Sequence, residues 1–144
     1  MPSSVLAHVL ERIAGTPIRT DPYPHFYVRD SSDYRLGPHT DSVTKIMSFL
    51  FYLPPDESMA LLGTSIYAPK QADFRCSRGL HYRFDRFRLV TTMPYLPNSL
   101  FGFVRTGNSF HGVEPITATG ICRDLLLYDI QRMNPPQSKP VGPG

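Results

Sequence analysis

Tyr34-Arg-Leu-Gly-Pro-His-Thr-Asp41 is the stretch on which the reading of this chain turns. His39 and Asp41 are separated by Thr40 alone. On an extended strand, residues two apart point to one face, about 6.6 Å from each other at a rise of roughly 3.3 Å per residue. An imidazole and a carboxylate aimed at one point make half of a metal site, and two ligands alone hold an ion weakly. A third candidate lies downstream in Asn108-Ser-Phe-His-Gly-Val-Glu-Pro115, where His111 sits on a short apolar run. Arg123 follows it, inside the apolar run Gly120-Ile-Cys-Arg-Asp-Leu-Leu-Leu-Tyr-Asp-Ile130. An arginine there needs an anionic partner, because a buried unpaired guanidinium is costly.

Working outward, the remaining pattern is one of short strands. Residues 3–14 read as a helix capped by Ser3 or Ser4, with Val5, Leu6, Val9, Leu10 and Ile13 as its apolar stripe. Gly15 and Pro17 stop it. His25–Arg29 reads as a short strand after Pro22 and Pro24, and His25 as an ordinary loop histidine rather than a ligand. Lys45–Leu53 is nearly continuous apolar, as expected of a strand covered on both faces, with the helix as one cover. Gly63–Tyr67, Phe87–Thr92, Ser99–Val104, Ser109–Val113 and Ile121–Ile130 complete eight strands separated by Pro, Gly and Asn turns. Eight short strands fit an all-β jelly roll. On the last strand Arg123, Leu125 and Leu127 share one face.

Lys70–Arg86 is the longest stretch without periodicity, the kind of loop that serves as a lid or binding segment. Its Phe74, Arg75, Arg78, Tyr82, Arg83, Phe84 and Arg86 interleave charge with aromatics. That texture suits single-stranded nucleic acid, a substrate-facing lid, or a loop anchored by its rings; the last is favoured. His81 in this loop has no partner at metal-ligand spacing.

With 144 residues, the chain is read as one domain at 1–131 and a Pro/Gly-rich disordered tail at 132–144. A net charge of +3 is too small to argue for nucleic acid. Cys76 and Cys122 form no CxxC pattern and read as free thiols of a reducing, cytoplasmic compartment. No basic and apolar leader and no apolar run of 18 residues is present, so neither secretion nor a membrane span is expected.

The order His-x-Asp, distal His, then Arg a dozen residues on resembles the Fe(II)/2-oxoglutarate-dependent dioxygenases. Leu50-Phe-Tyr-Leu-Pro54, Pro97-Asn-Ser-Leu-Phe-Gly-Phe103 and Ser109-Phe-His-Gly-Val113 are similar to phrases of the prolyl-4-hydroxylase-like branch. The resemblance covers roughly residues 24–131. It implies a double-stranded β-helix (jelly roll, cupin-like) with one N-terminal helix, and Fe(II) held by His39, Asp41 and His111 as a facial triad. It further implies 2-oxoglutarate chelating that iron, with its far carboxylate on Arg123 and on Tyr52. The reaction implied consumes dioxygen, with ascorbate as an accessory reductant, and hydroxylates a small-molecule or peptide C–H while releasing succinate and CO2. The chain is short for that family, which fits a fragment or a minimal version; the sequence leaves its oligomeric state open.

Other readings of the same residues stand beside this one. His39 and Asp41 would also suit a surface pair on a turn, and His111 a hydrogen-bonded core position. Tyr52 would suit a core tyrosine with its hydroxyl satisfied. Arg123 would suit a structural bridge to Asp124, Asp129 or another carboxylate. A divalent-metal cupin-type isomerase or hydrolase would need the triad but not Arg123, and a non-catalytic binding module is the further alternative.

Overall fold

The computed structural model describes residues 4–19, 26–76 and 80–133. His25, Ser3, Arg78 and the tail from 134 onward lie outside the described residues.

Among the described residues, eight strands form two antiparallel sheets of four. The first sheet is ordered β1 (Phe26–Ser31), β8 (Cys122–Gln131), β3 (Lys45–Tyr52) and β6 (Leu100–Val104). The second is ordered β2 (Leu36–His39), β7 (His111–Val113), β4 (Ser65–Pro69) and β5 (Phe87–Thr92). The pairs β1–β8, β2–β7, β3–β6 and β4–β5 are nested from the ends of the chain toward its middle. A long hairpin rolled on itself produces that nesting, and the result is a jelly-roll type of two-sheet fold. The tip of the rolled hairpin is the connection from β4 to β5, which is why the one long loop occurs there.

The N-terminal helix, α1 (Ser4–Ala14), ends at Gly15, whose φ of +65° is the left-handed cap conformation that glycine adopts without strain. Its outcome differs from the expected stripe. Ala7, Leu10 and Ala14 pack against Ile18, Ile46, Ile130, Met47 and Phe49, while Val5, Val9 and Ile13 face outward. Of the expected stripe, Leu10 faces the sheet, flanked there by Ala7 and Ala14. Strand alternation is interrupted at the start of β3. A register shift between Lys45 and Met47 turns Ile46 into the helix-side cluster beside Met47 and Phe49.

Arg132 bridges to Ile18 and donates its backbone N–H to Thr44 O at 2.9 Å. No disulfide joins Cys76, which is buried, and Cys122, which is exposed. Among the described residues, no helix is long and apolar enough to cross a membrane.

Lys70–Arg86 is held to the second sheet by its rings. Phe74, Tyr82 and Phe84 pack on Tyr67, Cys76, Phe87 and the fully buried Phe110. The Arg86 guanidinium lies over Phe74 and Tyr82, and Arg83 pairs with Asp85 at 2.8 Å. Arg75 donates to the Ala72 and Phe74 carbonyls, so the described arginines of the loop are engaged within it, as expected of an anchored loop. Removing the loop would open the core beside β7.

Gly112 sets the spacing of the two strands that matter most below. A Cβ at this position would stand 2.3 Å from Leu36 O and 3.2 Å from Gly37. Gly112→Ala should therefore push β2 and β7 apart, costing about 1–3 kcal/mol as overpacking does. Thermal melting should register that loss, and metal content measured on the same sample should fall, because His39 and His111 ride on these strands.

Candidate metal centre and adjoining cavity

His39 closes β2 and His111 opens β7, and the register places them directly opposite each other. Their ring centroids are 4.4 Å apart. Asp41 is not on the strand, contrary to the expected shared strand face. The chain leaves the sheet at Thr40, which is fully buried with its hydroxyl donating to Cys76 O at 3.3 Å. Arg105 donates to Asp41 O at 3.0 Å, fixing the carboxylate's backbone in place of a ladder bond. The outcome is convergence all the same. One ligand atom each from His39, Asp41 and His111 lie within 4.8 Å of one another.

The protonation states suit a cation. Each imidazole has its Nδ1 at 3.0 Å from a backbone carbonyl, Gly37 O for His39 and Ser109 O for His111. A carbonyl only accepts, so both Nδ1 atoms carry the proton and both Nε2 atoms keep a lone pair. Burial and the neighbouring His111 push His39 down to about 4, and burial lowers His111 as well. Burial alone would raise Asp41; His111, Lys45 and Ser48 outweigh it and hold the carboxyl below its ordinary range. Two neutral imidazoles and one carboxylate are the donor set of a first-row divalent ion with open positions. The residues fit Fe(II).

Around Asp41 runs a polar network. The Ser48 hydroxyl lies 2.5 Å from Asp41 and 2.9 Å from Asp129. One hydroxyl proton serves one carboxylate at a time, and Lys45 balances the excess charge at 2.9 Å from Asp129 and 3.7 Å from Asp41. Ser48→Ala removes the hydroxyl that contacts Asp41 and should weaken metal binding about 10–100-fold, the usual cost of losing an outer partner that orients a ligand. Competition with a metallochromic chelator would measure it.

His81 lies outside the ligand cluster, as its spacing implied, but it touches one of the ligands. Its ring stands edge-on to His39 with centroids 4.5 Å apart. It opens onto an outer groove of about 580 Å³ bounded by Arg35, Tyr82, Arg83 and Asp85. No sequence spacing betrays this contact, since the loop is placed by its aromatics.

Between the sheets lies a cavity of about 200 Å³. The triad, Lys45 and Ser48 border it, and so do Asp30, Tyr34, Thr64 and Arg123. Arg123 is 1% exposed. It pairs with neither Asp124 nor Asp129 but with Asp30, at 2.5 Å, and its Nε donates to Leu62 O at 2.6 Å. Its remaining terminal nitrogen lies 3.2 Å from the Thr64 hydroxyl. Burial pushes Asp30 up against the pull of Arg123. Tyr52, expected at the cosubstrate, is not on the cavity wall. Its hydroxyl oxygen accepts the Thr64 N–H at 3.1 Å, and its ring centroid is 5.9 Å from the Arg123 guanidinium. Tyr34, to which the sequence assigned no role, is the tyrosine on that wall.

No protein-family model matches the chain, and no curated protein matches it in sequence. Among solved structures, it is similar to the non-heme alpha-ketoglutarate-dependent carbocyclase SnoK from nogalamycin biosynthesis, with a TM-score of 0.55 at 15% identity over 88% of this chain. The chain spans 55% of that enzyme's length. Similarity at this identity is similarity of fold. The chain shares the fold of a 2-oxoglutarate-dependent non-heme iron enzyme and brings His39, Asp41 and His111 together within it.

Proposed function

We propose that this chain is an Fe(II)- and 2-oxoglutarate-dependent oxygenase on a double-stranded β-helix, oxidising a C–H bond of a small-molecule or peptide substrate by hydroxylation. The observation that carries the reading is the placement of the His39–Asp41–His111 cluster and Arg123 on the wall of one cavity. Bound iron would supply dioxygen activation coupled to oxidative decarboxylation of the 2-oxo acid.

The chain's own residues bind, orient and exclude water. His39, Asp41 and His111 would hold the metal and leave positions for other ligands. Arg123 offers a planar fork for the far carboxylate. Tyr52 and Tyr95, whose centroids lie 5.9 and 5.7 Å from its guanidinium, support that fork. Leu50, Phe103, Val113, Leu125 and Leu127 make the walls apolar, which lowers the local dielectric and keeps water from the reacting groups. Membership of the prolyl-4-hydroxylase-like branch is supported by the phrases around Tyr52, Phe103 and His111. The reading carries with it a reducing, cytoplasmic setting for Fe(II) and for the thiols of Cys76 and Cys122.

Succinate release tests this reading. With Fe(II), 2-oxoglutarate and ascorbate, a panel of peptides, amino acids, sugars and nucleotides should include one that raises succinate formation above the substrate-free rate. Succinate formation absent with iron bound would refute it. One observation favours a second reading, the divalent-metal cupin: Arg123 already has a carboxylate partner in Asp30. A cupin predicts substrate conversion without any 2-oxo acid.

A further inference from the structure

β1 and β8 carry two consecutive cross-strand ion pairs of opposite order. Arg29 faces Asp124 and Asp30 faces Arg123 in the register. The Arg29–Asp124 pair, at 2.7 Å, is on the outside, with the Arg29 side chain 57% exposed. The Asp30–Arg123 pair turns inward and lines the cavity, with both residues buried. The register builds this inner pair into the fold, because a one-residue slip would set Asp30 opposite Asp124 or Arg29 opposite Arg123.

The inner pair alters what Arg123 can recognise. Its Nε is given to Leu62 O, one terminal nitrogen to Asp30 and the other to the Thr64 hydroxyl. An incoming carboxylate therefore meets a fork whose charge is already cancelled at contact distance, and it brings a second negative charge toward Asp30. In a low-dielectric cavity that repulsion offsets most of what Arg123 would supply. The other cation on the cavity wall, Lys45, is engaged by Asp129 and Asp41.

We propose that Asp30 is a specificity-determining residue that competes with the cosubstrate for Arg123, so that the cavity takes 2-oxo acids with an uncharged tail nearly as well as it takes 2-oxoglutarate. This inference rests on the 2-oxo-acid reading above. 2-Oxopentanoate is the fitting probe, since it has the length of 2-oxoglutarate with a methyl in place of the far carboxylate.

Calorimetric titration of the Mn(II)-loaded full chain with each acid gives a ratio of affinities. The wild type should discriminate by less than about threefold, where an uncontested Arg–carboxylate pair would give about tenfold or more. Asp30→Asn keeps the shape and removes the charge, and it should raise the ratio to about tenfold or beyond by tightening 2-oxoglutarate alone. A wild-type ratio already above tenfold overturns the proposal, as does an unchanged ratio in Asp30→Asn. Should that variant not fold, the wild-type ratio decides by itself. If one Mn(II) binds and neither acid does, in either protein, the 2-oxo-acid reading itself falls and the proposal falls with it. Binding of 2-oxoglutarate with a ratio insensitive to Asp30 removes the proposal alone.

Discussion

Asp41→Ala should reduce bound Fe(II) from one per chain to a small fraction, while the protein still folds. Asp41 is the one anionic member of the cluster, so its loss leaves two neutral imidazoles facing a dication. The effect should exceed the roughly 10–100-fold that follows loss of an outer partner. The fold should survive because Lys45 keeps its closer contact with Asp129, at 2.9 Å, and the Arg105 bond is to the Asp41 backbone. Asp41→Asn is the companion variant: it preserves the shape and much of the Ser48 contact, and should lose metal nearly as completely. Atomic absorption on dialysed protein, with a thermal melt of the apo form, separates ligand loss from unfolding. Equal iron in wild type and both variants would contradict the assignment.

Arg123→Ala should act on stability first and on the cosubstrate second. The guanidinium is 1% exposed and partners a carboxylate that is 4% exposed. Removing it strands Asp30 in the interior, which costs about 3–5 kcal/mol for a buried pair broken on one side. For a chain of this size that is a fall in melting temperature of about 10–20 °C. The double variant Asp30→Asn, Arg123→Met should recover most of the loss, because no charge is then left unpaired. A single Arg123→Ala variant that melts with the wild type would contradict the buried pair. Weaker 2-oxoglutarate binding in the double variant than in Asp30→Asn alone, with metal binding intact, would isolate the role of Arg123 from its structural one.

Much of this architecture was legible in the chain because its signals are local. Turn residues at short intervals marked eight strands, and the period-2 pattern placed Arg123, Leu125 and Leu127 on one face, all three on the cavity wall. The triad was legible by residue type and order, though Asp41 reaches it from beyond the strand through Arg105 and Thr40 rather than by alternation. What was not legible depends on register across large separations. Asp30 and Arg123 are 93 residues apart, and only the β1–β8 alignment makes them partners. His81 reaches His39 because Phe74 and Tyr82 fasten its loop to the core. On the helix, Leu10 packs inward as expected, while Ala7 and Ala14 stand beside it where Val5, Val9 and Ile13 were expected.

The central claim is that the His39–Asp41–His111 centre and the cavity beside it form one site for a metal and a 2-oxo acid. Anaerobic equilibrium dialysis of labelled 2-oxoglutarate against apo and Fe(II)-loaded protein tests it directly. One 2-oxoglutarate per chain is expected when iron is present, with a marked loss of binding in the apo protein and in Asp41→Ala. Binding that is equal with and without iron, or absent when one iron is bound, would contradict it.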